Sequence, residues 1–240
     1  MLVDQRIAVI GGTGGIGFAV AAAALDCAAE VIVGSSSPEK LEHTLKKLPA
    51  EATGFVVDVT NEDSVRKFFD QTGEISHVAV TVGISYKPTP VSEADLAENR
   101  KPFLVKYWGQ FLVAKYAVAK LSERGSITLT SGVLSQRPAK GLAAQSSVNA
   151  AVEALARTLA IEIAPCRVNA VSPGFIDTGK LLANLSPEDR TAKLLETKGH
   201  PLPAQRVGKP QDAASAYLYA MQNPYLTGQV LVVDGGDSIV

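Results

Sequence analysis

Cysteine is nearly absent from this chain of 240 residues: Cys27 and Cys166 are the only two, far apart in sequence. They form neither a disulfide framework nor a CxxC metal spacing, so the reading is a reduced intracellular protein with two largely buried thiols. Histidine is scarce as well. His43, His77 and His200 are scattered and suggest no metal site or triad. Neither sign of charge dominates: 23 Lys and Arg stand against 24 Asp and Glu, a formal net of −1. With no Lys/Arg stripe, nothing marks a nucleic-acid surface. Phe18–Ala29 is rich in alanine, but Asp26 interrupts it and it follows a glycine loop, which excludes a signal-peptide core or a membrane span. The expectation is a cytoplasmic protein without nucleic-acid or membrane partners.

What is present is alternation. Apolar runs of strand length lie at Arg6–Ile10, Glu30–Val33, Gly54–Val57, His77–Thr81, Ser126–Thr130, Arg167–Val171 and Gln229–Val233. They are rich in Val and Ile on both alternating sets, as parallel strands covered on both faces require. Helix-period segments fall between them at Gly15–Asp26, Pro38–Leu48, Asn61–Asp70, Pro102–Leu121, Gln145–Ile163 and Pro210–Met221. Start signals support several of them, including Ser37-Pro38-Glu39, Thr60-Asn61-Glu62-Asp63 and a first-turn Pro102. The pattern predicts one α/β domain over 1–240, a Rossmann-type doubly wound parallel sheet of about seven strands with helices on both faces. Gly179–Pro203 has no clear place in the sheet and is expected to cover its carboxyl edge, where ligands bind.

The first strand runs into Gly11-Gly12-Thr13-Gly14-Gly15-Ile16-Gly17 and then a helix. A glycine turn between strand and helix lets backbone approach a pyrophosphate, and the free N–H groups and dipole of the helix favour the anion. At the end of the second strand, an acid that would hold the ribose 2′-hydroxyl of NAD is missing. Gly34-Ser35-Ser36-Ser37 stands there, with hydroxyls that suit a 2′-phosphate, although Ser37 before Pro38 also reads as a helix cap. NADP(H) is therefore the expected cofactor. The absence of an Arg leaves NAD(H) as the weaker candidate. Asp58-Val59 after the third strand either bonds the adenine amino group or caps the next helix.

These segments resemble the short-chain dehydrogenase/reductase family, and the resemblance spans nearly the whole chain. It extends to Arg167-Val168-Asn169-Ala170-Val171-Ser172-Pro173-Gly174 with Thr178, and to Thr227-Gly228-Gln229-Val230 through Asp234-Gly235-Gly236. It implies that Pro173, Gly174, Ile176 and Thr178 close over the nicotinamide, that Gly83 lines the cofactor, and that the chain forms a homodimer or homotetramer on its long helices. The family also carries a Tyr-x-x-x-Lys pair, and here this chain departs from it. Aligning Ala150-Ala151-Val152-Glu153-Ala154-Leu155 puts Gln145 at the tyrosine position and Asn149 at the lysine position. An amide has no proton to exchange near neutral pH. Tyr116 and Tyr217 lie too far along the chain to be a slipped register. The family serine aligns best with Ser131, and the Asn of the long helix becomes Lys106.

Ser131 and Lys106 are therefore the candidate catalytic residues, with Lys106 either a proton donor and stabiliser of a developing alkoxide or a lysine extended into solvent. Arg137 either anchors an anionic substrate group or is a solvated loop residue. His200 is a further candidate from the covering segment. The expected function is an NADP(H)-dependent oxidoreductase passing a hydride to a carbonyl, imine or iminium of a small molecule. The alternatives are a non-redox NADP(H)-binding sensor or partner subunit, and a cyclase or isomerase that uses the dinucleotide as a scaffold.

Overall fold

The computed structural model describes residues 2–50, 52–84, 87–179, 185–198 and 201–240. Seven strands form one sheet: β1 Arg6–Ile10, β2 Glu30–Ser35, β3 Ala52–Val56, β4 Ile75–Val80, β5 Leu121–Thr130, β6 Arg167–Pro173 and β7 Val230–Val233. All neighbouring pairs are parallel, in the order β3-β2-β1-β4-β5-β6-β7. Five of the strands, β2 to β6, outrun the sequence reading at one end. β2 continues to Ser35 and β5 begins at Leu121, because polar and glycine residues join a ladder whose neighbours supply the hydrogen bonds.

The helices are α1 Gly15–Asp26, α2 Pro38–Leu45, α3 Glu62–Thr72, α4 Leu96–Pro102, α5 Gly109–Ala117, α6 Ala143–Glu162, α7 Pro187–Lys198 and α8 Pro210–Gln222. They divide the core in two. Val65, Phe68, Phe69, Val113, Ala117, Val152 and Leu159 of α3, α5 and α6 pack on one face of the sheet. Ala19, Val20 and Ala24 of α1 meet Ala214, Tyr217 and Met221 of α8 on the other. A strand buried on both faces is mostly apolar, as in Ile7–Ile10 of β1 and Val78–Val80 of β4, and the polar residues it does bury are hydrogen bonded, as Asn169 of β6 is to the Leu226 carbonyl and the Gln229 N–H. Polar side chains fix the helix starts: Ser37 accepts from the Lys40 N–H, Asn61 from Ser64, and Asp95 from Ala97 and Glu98.

The helix expected to open at Pro102 instead starts at Leu96 and continues past the proline. Pro102 has no N–H to give, and the turn after it widens into a π-helical stretch over Phe103–Trp108 before α5 resumes. Gln110, fully buried, ties this turn to the sheet. Its Nε2 donates to the Lys106 and Thr130 carbonyls at 2.6 and 3.0 Å, and its Oε1 accepts from the Thr130 N–H at 2.7 Å. The widened turn thus sets Lys106 above the carboxyl end of β5. A second revision concerns the thiols, since Cys27 and Cys166 are both half-buried.

Candidate active site

The strand order reverses between β1 and β4, and the crevice above their carboxyl ends is where such sheets bind ligands. Thr81 locks that point, giving both its N–H (2.8 Å) and its hydroxyl (2.9 Å) to the Ile10 carbonyl. Gly11 and Gly12 hydrogen bond to the Gly34 carbonyl, and Gly15 has φ +53°, a left-handed conformation that favours glycine. Gly17 is needed for a different reason: a Cβ there would overlap the Gly11 carbonyl and the Thr81 hydroxyl. At Gly14 and Gly83 a Cβ would meet nothing within 4 Å, so open space lies over both. No side chain caps α1, leaving its first N–H groups for an anion. Open space over left-handed glycine backbone at a helix start fits a dinucleotide pyrophosphate.

The three serines after β2 take three different positions. Ser35 is buried, with its hydroxyl 3.2 Å from that of Thr13 on the glycine loop. Ser37 caps α2 and donates to Glu39 at 2.7 Å, and this bond holds the Glu39 carboxyl below its usual range. Ser36 is exposed. The Oδ1 of Asp58 is engaged by the N–H and hydroxyl of Thr60, while Val59 is buried against Gly109, where only a glycine leaves it room. Across the crevice, the segment after β6 is pinned by Gly174 N–H to the Val233 carbonyl (2.9 Å) and Asp177 N–H to the Gly208 carbonyl (2.8 Å). Ile176 pairs with Gly208, and the Thr178 methyl packs against Gly15, bringing the Pro173–Thr178 stretch over the glycine loop. Within the expected covering segment, the described part holds α7. His200 lies outside the described residues.

The Lys106 ammonium donates to the Ser131 carbonyl at 2.7 Å and to Asn149 Oδ1 at 2.6 Å. Burial brings its pKa from 10.5 down to about 8, against the opposing pull of the Glu153 carboxylate. The surface-lysine reading is thereby excluded. The hydroxyl of Ser131, 1% exposed, turns to Glu153 at 3.1 Å. Asn149 also covers Gly132, where a Cβ would come within 2.8 Å of its Nδ2. One turn earlier on α6, Gln145 is 7% exposed and its Oε1 has no hydrogen-bond partner among the described residues.

Comparison with known proteins gives this geometry its setting. A family model described as enoyl-(acyl carrier protein) reductase matches residues 11–238. The short-chain dehydrogenase/reductase ucsE of Acremonium sp is 35% identical over 257 residues, covering 99% of this chain and 97% of that one. The chain belongs to the short-chain dehydrogenase/reductase family. Among solved structures, a small-chain dehydrogenase in complex with NADPH is 33% identical with a TM-score of 0.79, covering 99% of this chain and all of the other. The MalC reductase/Diels-Alderase of Malbranchea aurantiaca is 27% identical with a TM-score of 0.89, covering 100% and 98%. As a member of this family, the protein is an oxidoreductase.

In this short-chain dehydrogenase/reductase, two tyrosines considered from the sequence stand away from the Lys106 cluster. Tyr217 is fully buried and hydrogen bonds the Thr130 hydroxyl, and burial drives its pKa upward. Tyr116 donates to the exposed Glu62 at 2.8 Å. Arg137 fits neither of its expected readings. Its guanidinium donates to the Asp237 and Val240 carbonyls and lies 3.6 Å from the buried Asp237 carboxylate, so it pins the last turn of chain. His77 sits at the opposite end of the sheet, between Ser126 and Gln5. Among the described residues no cluster of His, Cys, Asp or Glu forms a metal site, and no helix is long and apolar enough to cross a membrane.

Sequence reasoning passed over Gln110 and Glu153. Both carried a signal. Gln145, Asn149 and Glu153 recur every four residues on an otherwise Ala- and Val-rich helix, and Lys106 and Gln110 share that spacing. Polar residues at i and i+4 on a buried helix face mark an internal polar stripe.

Proposed function

We propose that the protein is an NADP(H)-dependent reductase that delivers a hydride to the carbonyl or neutral imine carbon of a small molecule, with Lys106 stabilising the negative charge that develops. The observation that carries this reading is the hydrogen-bond count at Lys106. An ammonium has three N–H donors, and two are spent on Ser131 and Asn149. The third is left for a substrate oxygen or nitrogen. A pKa near 8 also suits a group that must hold a proton at neutral pH and release it to a stronger base.

The residues that would hold the dinucleotide are Gly11, Thr13, Gly14, Gly15, Ile16 and Gly17 at the pyrophosphate, and Ser35, Ser36 and Ser37 at the 2′-phosphate. Asp58, Val59 and Gly83 would border the adenosine and ribose, with Pro173, Gly174, Ile176 and Thr178 across the nicotinamide. The exposed Ser36 and the absence of a carboxylate at the end of β2 favour the phosphorylated cofactor over NAD(H). When bound, the dinucleotide supplies the hydride. Lys106 then gives its proton to the alkoxide, yielding an alcohol, and the neutral amine recovers a proton from solvent. Ser131 acts through its carbonyl, which orients the ammonium. Gln145, at the position where the family has tyrosine, offers hydrogen bonds without proton exchange.

The same lysine argues against a cationic iminium as substrate. A second positive charge about 4 Å away would cost about 4 kcal/mol at an effective dielectric constant near 20, or strip Lys106 of the proton it is held to donate. Similarity to a reductase/Diels-Alderase supports a second reading, a cyclase in which the bound dinucleotide forms a wall of the pocket. The exposed stripe of Leu104, Trp108 and Phe111 along the π turn and α5 supports a homodimer on that face.

The test is NADPH oxidation with ketones, aldehydes, neutral cyclic imines and preformed iminium ions, for wild type and Lys106→Met. Binding of NADPH and NADH is measured separately by fluorescence. The expected result is tighter binding of NADPH than NADH, turnover of neutral carbonyls or imines, and a loss of about 100- to 10,000-fold in the variant. Undiminished turnover in Lys106→Met would overturn the role of the lysine. Tight binding without turnover on any class would favour the cyclase or a non-redox sensor.

A further inference from the structure

Glu153 is a carboxylate only 8% exposed, to which the steps above give no task. Its Oε1 accepts from the Ser131 hydroxyl at 3.1 Å and from the Ser135 hydroxyl at 2.5 Å. Both partners are neutral. A buried charge persists only when another charge or a full set of hydrogen bonds offsets its desolvation. The nearby opposite charge is Lys106, on the far side of Ser131.

Ser131 joins the two. Its carbonyl oxygen takes the ammonium of Lys106 at 2.7 Å while its hydroxyl donates to Glu153. Asn149 reaches the same ammonium from α6 at 2.6 Å, one turn before Glu153 on that helix. The groups meeting the cluster are Lys106 and Gln110 from the helical run after Pro102, Asn149 and Glu153 from α6, and Ser131 and Ser135 from the end of β5 and the turn beyond it. Of these, only Lys106 and Glu153 carry charge. A carboxylate placed one residue behind the ammonium favours its protonated form and sets the strand that orients it.

We propose that Glu153 is a positioning residue for the reduction, holding Lys106 charged and in place through Ser131. This rests on the role of Lys106 argued above. Glu153 passes no proton in the step. Replacing it by the isosteric amide removes the charge that favours the ammonium, so Lys106 loses its proton at lower pH.

The experiment measures kcat against pH for wild type, Glu153→Gln, Glu153→Asp and Lys106→Met. Wild type should lose activity as pH rises through about 8. In Glu153→Gln that limb should move about one pH unit towards acid, with the loss greatest above pH 7 and shrinking towards pH 6. Glu153→Asp keeps the charge and should move the limb back towards wild type. Acetylation of Lys106 in the cofactor-free protein, followed by mass spectrometry across pH, should show the same displacement without reference to turnover. A limb and a labelling midpoint unmoved in Glu153→Gln, or a loss equal at every pH, would overturn the proposal while leaving Lys106 in its role. A limb that persists in Lys106→Met overturns both. Should Glu153→Gln prevent folding, Glu153→Met removes the same charge with a neutral side chain of similar length, and an unmoved limb there refutes the proposal equally.

Discussion

Exchanging residues 106 and 149 tests whether the pocket is built around one ammonium, whichever helix supplies it. In this chain the cation rises from the widened turn and its acceptor amide sits on α6, with Lys106 Nζ 2.6 Å from Asn149 Oδ1. The Asn149→Lys variant places a second ammonium against the first. At about 4 Å and an effective dielectric constant near 20 the repulsion reaches about 4 kcal/mol, but with a pKa of about 8 Lys106 sheds its proton at pH 7 for about 1.4 kcal/mol, which caps the penalty. Lys106→Asn alone leaves the Ser131 carbonyl and the Asn149 amide without their cation, at a cost of about 1–3 kcal/mol for each buried group left unpaired. The double variant Lys106→Asn/Asn149→Lys carries one ammonium again. Its stability should exceed the sum of the single effects by about 3–4 kcal/mol, far above the few tenths expected of independent sites. Urea unfolding of the four proteins measures this coupling, with NADPH binding as a check on the fold. Adding Gln145→Tyr to the double variant places a Tyr-x-x-x-Lys pair on α6 and should raise ketone turnover. Coupling below about 0.5 kcal/mol would refute the shared-site reasoning.

Two further outcomes follow from groups outside that pair. Gly17→Ala drives a Cβ into the Gly11 carbonyl and the Thr81 hydroxyl. It should weaken NADPH binding about tenfold or more and lower the melting temperature, because backbone must move. Gly14→Ala, where a Cβ meets open space, should leave the melting temperature unchanged, so equal melting losses in the two would contradict the packing argument. His77, 4% exposed, is held neutral: burial, then the charge of Arg167, lowers its pKa from 6.5 to about 4. Below 6.5 the unfolded chain binds a proton that the folded one refuses. The His77 contribution is therefore intact above pH 6.5 and is lost as pH falls through 6.5 to 4, about 3 kcal/mol in all. Urea midpoints at pH 7 and pH 4 should show His77→Gln less acid-sensitive than wild type by about that amount, and an identical acid dependence would count against the buried neutral histidine.

Apolar strand runs separated by capped helices determined the architecture of this protein, because both signals are local. A strand covered on two faces is predominantly hydrophobic, and Gly11–Gly17 declares its backbone freedom in its own residue types. The same locality made Ser37 legible as a cap, since its acceptor role reaches only three residues ahead. Where contact depends on residues distant in sequence, only the tertiary structure decided. Lys106 reads equally well as a surface lysine until the π turn after Pro102 and the Gln110 clamp carry it over Ser131, 25 residues away. Arg137 looked free until Asp237 and Val240, a hundred residues on, folded back to meet it. Glu153 passed as one polar residue on a helix until Ser131 linked it to a cation on another element. Periodicity along the chain records which face of an element is buried, whereas the partner a buried charge finds is set by how separate elements cross.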